Sequence, residues 1–156
     1  NLLRQASLFT AGGKRVVPDA GNSFGTAREL VRYLLRMEQG RLVDEFSSRE
    51  IKRLIYVTER RIRYASSPAL AGSAVYFKSG SLFECAQEPG FTCRPYAGNV
   101  KNYMNSTAIV EHPAGERRIY YLSTLVTNIL RKNSAAEHQA LATRLHQLIT
   151  EGHRAR

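Results

Sequence analysis

The chain predicts an α+β domain: a portion of an α/β/α sandwich in which an antiparallel sheet of at least three strands packs with helices. Three observations carry that prediction. Two amphipathic stretches, each opened by a capping-box pattern, lie between residues 26 and 58. Three β-branched and aromatic runs follow between residues 73 and 125, joined by segments that carry turn residues. A third amphipathic stretch closes the chain, so helices flank the strand-rich part on both sides in sequence.

In order along the chain, Leu2, Leu3, Leu8 and Phe9 are placed to finish a helix that Ala11-Gly12-Gly13 breaks. Val16-Val17-Pro18-Asp19 reads as an extended connection. Thr26 and Glu29 then form a capping box, and Ala27, Leu30, Val31, Leu34 and Leu35 recur at helical spacing until Gly40. A second box, Ser47 and Glu50, opens a helix whose inward side is expected to carry Ile51, Leu54, Ile55 and Thr58. Both helices read as core packing and not as chemistry. Residues 60–72, with Ser66-Ser67-Pro68, read as a loop.

The stretch from Ser73 to Cys85 reads as a strand with Val75, Phe77 and Ser79 on one face and Ala74, Tyr76 and Lys78 on the other. Two further strands, Asn105 to Glu111 and Arg117 to Leu125, flank Pro113-Ala114-Gly115 and make an antiparallel hairpin. Tyr103-Met104-Asn105 reads as the entry to the first of them. A third box, Ser134 to Glu137, opens the last helix, which carries Leu141, Leu145, Leu148 and Ile149 to Gly152.

The totals bound the rest. A length of 156 residues fits one domain with a core of its own, provided the whole domain is present. The chain opens at Asn1 without methionine, as a mature product, a fragment or the ordered part of something longer would. No apolar run reaches the length of a spanning helix, and no signal peptide is read at the start. Against 13 acidic residues stand 23 Lys and Arg, a formal charge of +10 that favours anionic partners. The basic residues are scattered: Arg28, Arg32 and Arg36 on one helix, Arg60, Arg61 and Arg63 after the next, Arg154 and Arg156 in the tail. Without zinc-finger spacing, RNA-binding aromatics or a basic zipper, a solvated basic surface or attraction to an anionic envelope is preferred to nucleic-acid binding.

Cys85 and Cys93 enclose a loop centred on Pro89-Gly90, and neither a further Cys nor a nearby His completes a metal set. A disulfide is the preferred reading, with two buried free thiols as the alternative. It implies an oxidising compartment such as a periplasm. His112 sits by a turn, His138 and His146 fall on the last helix without an acidic partner at ligand spacing, and His153 is in the tail. All four read as surface or capping histidines, and no metal or other cofactor is expected. Gly12-Gly13 lacks the Lys-[Ser/Thr] of a phosphate-binding loop.

The one constellation with chemistry is Lys78-Ser79-Gly80-Ser81, at the C-terminal half of its strand. An ammonium supplies a point charge, the Ser79 hydroxyl can donate beside it, and Gly80 lets another backbone approach, so the step can hold an anion. Average composition would give a Lys-[Ser/Thr]-Gly tripeptide in a chain this long about one time in ten, so the tripeptide alone is no more than a surface lysine beside a serine.

Its setting adds to it. Asn22-Ser23-Phe24-Gly25-Thr26-Ala27-Arg28-Glu29-Leu30, Gln39-Gly40-Arg41-Leu42-Val43 with Ser47-Ser48, Lys78-Ser79-Gly80-Ser81, two more strands and a terminal helix occur in this order. From about Asn22 to Glu151 they resemble the C-terminal part of the serine β-lactamase and penicillin-binding-protein (D,D-peptidase) superfamily, nearest its class A-like branch. The resemblance implies that residues 1–156 are a single partial domain with a transpeptidase-like fold, Lys-Ser-Gly being the third of three family motifs. It implies catalytic roles for Lys78, which sets the field of the pocket and supports proton movement, and for Ser81, whose amide donates to the oxyanion hole. It also implies that Ser79 and Gly80 bind substrate, Ser79 through the substrate carboxylate. The implied partners are the N-terminal part of the same domain, which carries the nucleophile, and a peptidoglycan-like or β-lactam substrate.

The departures matter equally. No serine here has a lysine three residues later and no Ser-Asp-Asn occurs, so this chain alone is not expected to form an acyl-enzyme. Between Asn1 and Thr26 the only acid is Asp19, which leaves no Glu for class A deacylation if that loop is present. The alternative reading is a non-catalytic module that keeps the fold and binds an anionic cell-wall or peptide ligand.

Overall fold

The computed structural model describes residue 15 and residues 25–155. The expected helix end at Leu2–Phe9 and the connection at Val16–Asp19 fall outside the described residues. The elements are α1 (Ala27–Glu38), α2 (Glu45–Tyr56), short 3-10 turns at Arg63–Ser66 and Pro68–Leu70, β1 (Ala74–Glu84), β2 (Lys101–His112), β3 (Ile119–Asn128) and α3 (Ala135–Arg154). The domain is α+β.

α1 begins as expected. The Thr26 amide donates to Glu29 Oε2 at 2.7 Å, and the Glu29 amide donates to Thr26 Oγ1 at 3.3 Å, closing the box. Its inward stripe is Leu30, Val31, Leu34 and Met37, whereas Leu35 is 45% exposed. One helical step of about 100° separates Leu35 from Leu34, enough to carry it to the solvent side.

The second and third boxes are not formed. α2 is capped by Asp44, which accepts from the Ser47 amide at 2.6 Å, so Ser47 lies in the first turn. Glu50 instead pairs with Arg53. Ser48, Ile51, Lys52 and Ile55 face inward while Leu54 and Thr58 are exposed, because Lys52 is drawn inward by Glu38 and Glu111. In α3 the Ser134 side chain makes no cap bond. It is buried, its hydroxyl lying 3.3 Å from Thr127 Oγ1 and 3.5 Å from Met104 Sδ, and Glu137 pairs with Lys132.

The segment expected as a loop at 60–72 is an anchor. Tyr64, Ala65 and Leu70 are buried, and Ser67 Oγ lies 2.7 Å from Thr143 Oγ1 on α3. Short 3-10 turns give no repeating apolar pattern, which hides such an anchor from a periodicity reading.

The sheet is antiparallel in the order β1-β2-β3. Ala74 pairs with Glu111 and Glu84 with Lys101 in the first ladder; His112 pairs with Ile119 and Tyr103 with Asn128 in the second. Val75, Phe77, Ala108 and Val110 pack with Tyr64, Leu70 and Ala142 of α3. On the other face, Ile109 packs with Leu34 and Met37, flanked by Tyr76, Tyr120 and Leu122. Burying both faces explains why β1 opens as a continuous apolar run and not as a strict alternation.

α3 corrects the reading of its histidines. Its buried face is His138, Ala142 and His146, at i, i+4 and i+8, while Leu141 and Leu148 are 47% and 49% exposed. His138 Nδ1 lies 2.9 Å from Ser106 Oγ and Nε2 lies 2.9 Å from Thr127 Oγ1. His146 Nδ1 lies 3.1 Å from Tyr121 OH, with its ring edge-on to that of His112 at 4.9 Å. Hydroxyls on the sheet satisfy both nitrogens of His138, so burial carries no orphaned polar atom there.

Cys85 and Cys93 are disulfide-bonded, with Cα atoms 6.0 Å apart. Their loop is tied down at its base: the Asn99 side chain accepts from the Ala86 amide and donates to the Ala86 carbonyl, and Arg131 pairs with Glu88. Closing so short a loop restricts the unfolded chain, so reduction is expected to cost about 2 to 3 kcal/mol. Urea denaturation with and without reductant checks this, and equal midpoints would show that the crosslink adds nothing.

Candidate functional site

Lys78, Ser79, Gly80 and Ser81 lie in the middle of β1, which pairs only with β2 among the described residues. One edge of this strand is therefore unpaired by other strands. Side chains alternate across it: Lys78 and Gly80 face the side of α1 and α2, and Ser79 and Ser81 face the side of α3. Lys78 and Ser81 are exposed, Ser79 and Gly80 half-buried. The Lys78 ammonium donates to the Ser79 carbonyl.

On the α1 side, Leu30, Lys78, Ser79, Gly80, Asn105 and Thr107 line a depression of about 160 Å3. A side chain at Gly80 would enter it, since a Cβ there would lie 3.9 Å from Asn105 Nδ2. Asn105 Oδ1 is buried and has no hydrogen-bond partner. An acceptor in that state costs about 1 to 3 kcal/mol and marks a place where a donor from outside would be stabilised.

The ladder fixes where the strand's amides point. The Asn102 amide donates to Asn128 Oδ1 at 2.8 Å, and the Met104 carbonyl accepts from Thr127 Oγ1 at 3.3 Å, so both backbone groups face β3. Alternation then turns Tyr103, Asn105 and Thr107 toward β1, where they oppose Leu82, Gly80 and Lys78. The amides of Ser79 and Ser81 consequently face the edge away from β2. Neither has to break a ladder bond to meet a ligand.

Behind this strand lies a group that sequence reading left unassigned. Arg63 sits at φ 54°, in the left-handed region, and Nη1 donates to the Gly80 carbonyl at 2.7 Å. Its guanidinium stands 5.6 Å from the centre of the Tyr96 ring, and Tyr96 in turn meets Phe83 edge-on at 5.8 Å. Burial lowers the Arg63 pKa below its ordinary value, with the nearby Tyr96 opposing that shift. The only signal in the sequence was the run Arg60-Arg61-Ile62-Arg63, which the chain folds around one hollow. Asn105 was likewise visible only as part of a Tyr-x-Asn sequence, read as a strand entry.

Beyond the depression, the α1-side face of the sheet loses its cover. Leu82 is 59% exposed, Tyr103 40% and Val126 42%. No described helix is long and apolar enough to cross a membrane. No family model matches the chain, and neither the curated proteins nor the solved structures return a match.

Proposed function

We propose that this chain is the C-terminal part of an exported serine hydrolase of the β-lactamase or D,D-peptidase type, working by acyl transfer on an amide. The observation that carries the reading is the unpaired edge of β1, where the Ser79 and Ser81 amides lie beside the Lys78 ammonium and the depression holding Asn105. Donors fixed on a strand need not reorganise as a tetrahedral oxyanion forms, which favours the transition state over the bound amide. In this reading a serine on the N-terminal part of the domain attacks the amide carbonyl. The Ser81 amide donates to the oxyanion, Lys78 sets a positive field and supports proton movement, and the Ser79 hydroxyl holds the substrate carboxylate. The uncovered face at Leu82, Tyr103 and Val126 is where that N-terminal part would pack, its apolar surface needing a partner. The Cys85–Cys93 disulfide favours a periplasmic or other extracytoplasmic setting.

Incubation of the full-length polypeptide with a fluorescent penicillin is expected to leave a covalent adduct, and Lys78→Ala is expected to slow labelling about 10- to 100-fold. A folded full-length protein that never takes the label overturns the enzyme reading. The second reading is a module holding an anionic cell-wall or peptide ligand on the same edge; a Ser-x-x-Lys upstream of Asn1 supports the enzyme, and its absence there supports the module.

A further inference from the structure

A cationic concavity lies on the other side of β1 from the depression. It is a hollow of about 430 Å3 lined by Arg60, Arg61, Arg63, Ser66, Tyr96 and Asn133, at the start of α3. Its lining holds three guanidinium groups and no carboxylate. Among the described residues none of the three arginines forms an ion pair with Asp or Glu.

We propose that this hollow is a binding site for a phosphate ester, held by Arg60, Arg61 and Arg63 against Tyr96 at the start of α3. Three like charges gathered without an acid repel one another, and an anion between them removes that cost. Each guanidinium offers five N–H donors in a rigid fork that matches phosphate oxygens. Few of those donors are used: Arg63 gives one bond to the Gly80 carbonyl, and Arg61 gives one, at 3.4 Å, to the Ser73 carbonyl. Arg63 also holds a left-handed backbone conformation that is unfavourable for an L-residue, and that conformation belongs to the turn presenting it to the hollow. The positive end of α3 adds to the same field, since its first residue, Ala135, also borders the hollow.

Size and charge select the ligand. A bare ion would leave nearly all of a 430 Å3 hollow to water, whereas a phosphoryl group with an attached organic portion fills more of it. A single carboxylate neutralises one of three charges, and a phosphate monoester neutralises up to two. The face of the Tyr96 ring is partly taken by Arg63, leaving its exposed part for the organic portion of the ester. This inference stands apart from the acyl-transfer reading, since it uses none of Lys78, Ser79 or Ser81.

The test is a titration of the full-length protein with glycerol 3-phosphate at constant ionic strength, read by thermal melting and by phosphorus NMR linewidth of the added ester. A saturable rise in melting temperature with matching line broadening is expected. Arg60→Ala/Arg61→Ala, both exposed and outside every core contact described above, should weaken apparent affinity at least tenfold. Arg28→Ala/Arg32→Ala on α1, equal in charge removed, should leave it unchanged. Acetate producing the same rise at equal ionic strength, the α1 variant losing as much as the Arg60/Arg61 variant, or the absence of line broadening with the unaltered protein would each overturn the proposal.

Discussion

Lys52→Met is expected to destabilise the domain by about 3 to 5 kcal/mol, a large share of the 5 to 15 kcal/mol typical of a folded domain. Lys52 Nζ lies 2.8 Å from Glu38 Oε1 and 2.9 Å from Glu111 Oε1, with the Tyr76 ring centre at 4.3 Å. The side chains of the two glutamates are only 12% and 7% exposed, so both carboxylates depend on this ammonium. Burial by itself would lower the Lys52 pKa, but its bonds to Glu38 and Glu111 outweigh that and raise it above the ordinary value. Arg117 reaches the same pair, 3.1 Å from Glu38 and 3.5 Å from Glu111, yet its side chain is 53% exposed and screened by water. Methionine keeps the packing and removes the charge, leaving two acids facing one another. Urea denaturation reads the outcome as a lower midpoint at unchanged slope. Glu111→Gln in the Lys52→Met background should recover part of the loss, because one buried charge then disappears with its partner. A Lys52→Met loss below about 1 kcal/mol would mean that Arg117 and water already compensate the acids.

His138→Ala is expected to cost about 2 to 4 kcal/mol, from the cavity left by the ring and the buried hydroxyl of Ser106 that loses its partner. Thr127 suffers less, because its hydroxyl also meets the Met104 carbonyl and Ser134. The same residue gives a pH dependence. Burial first, and then the charge of Arg63, lowers the His138 pKa below 6.5; burial and then His112 do the same for His146. An imidazole whose folded pKa is depressed binds fewer protons folded than unfolded, so its stabilisation is complete above about pH 6.5. That stabilisation is lost as pH falls from 6.5 through the folded value. Melting temperature should therefore fall below pH 6.5 in the unaltered protein and fall less steeply in His138→Ala. Parallel pH profiles for the two proteins would show that His138 takes up its proton alike in the folded and unfolded states, which overturns this account.

What could be read in advance followed from repeating patterns. Thr26 and Glu29 formed their box because capping is satisfied by residues within one turn, and β1 showed itself through Val75, Tyr76 and Phe77. Ser134 and Ser47 matched the same capping pattern and did not form it, since a closer acceptor, Asp44, took one helix end and the buried Thr127–Met104 corner took the other side chain. The candidate site divided in the same way. Lys78-Ser79-Gly80-Ser81 was legible as a tripeptide step, whereas Asn105 and Arg63 lie 27 and 15 positions from Lys78 in the chain and reach its strand only through β2 pairing and a 3-10 turn.

The order of helices and strands, the short cysteine loop and the place of the cationic step were legible from local residues, because each depends on neighbours a few positions away. Which residues face inward emerged only once the strands and helices were packed. Lys52, His138 and His146 are polar, and a pattern built on apolar spacing assigns such residues to solvent unless their buried partners are known. Those partners, Glu111, Ser106 and Tyr121, stand on strands far away in the chain, and pairing across that distance is a property of the fold and not of any local stretch.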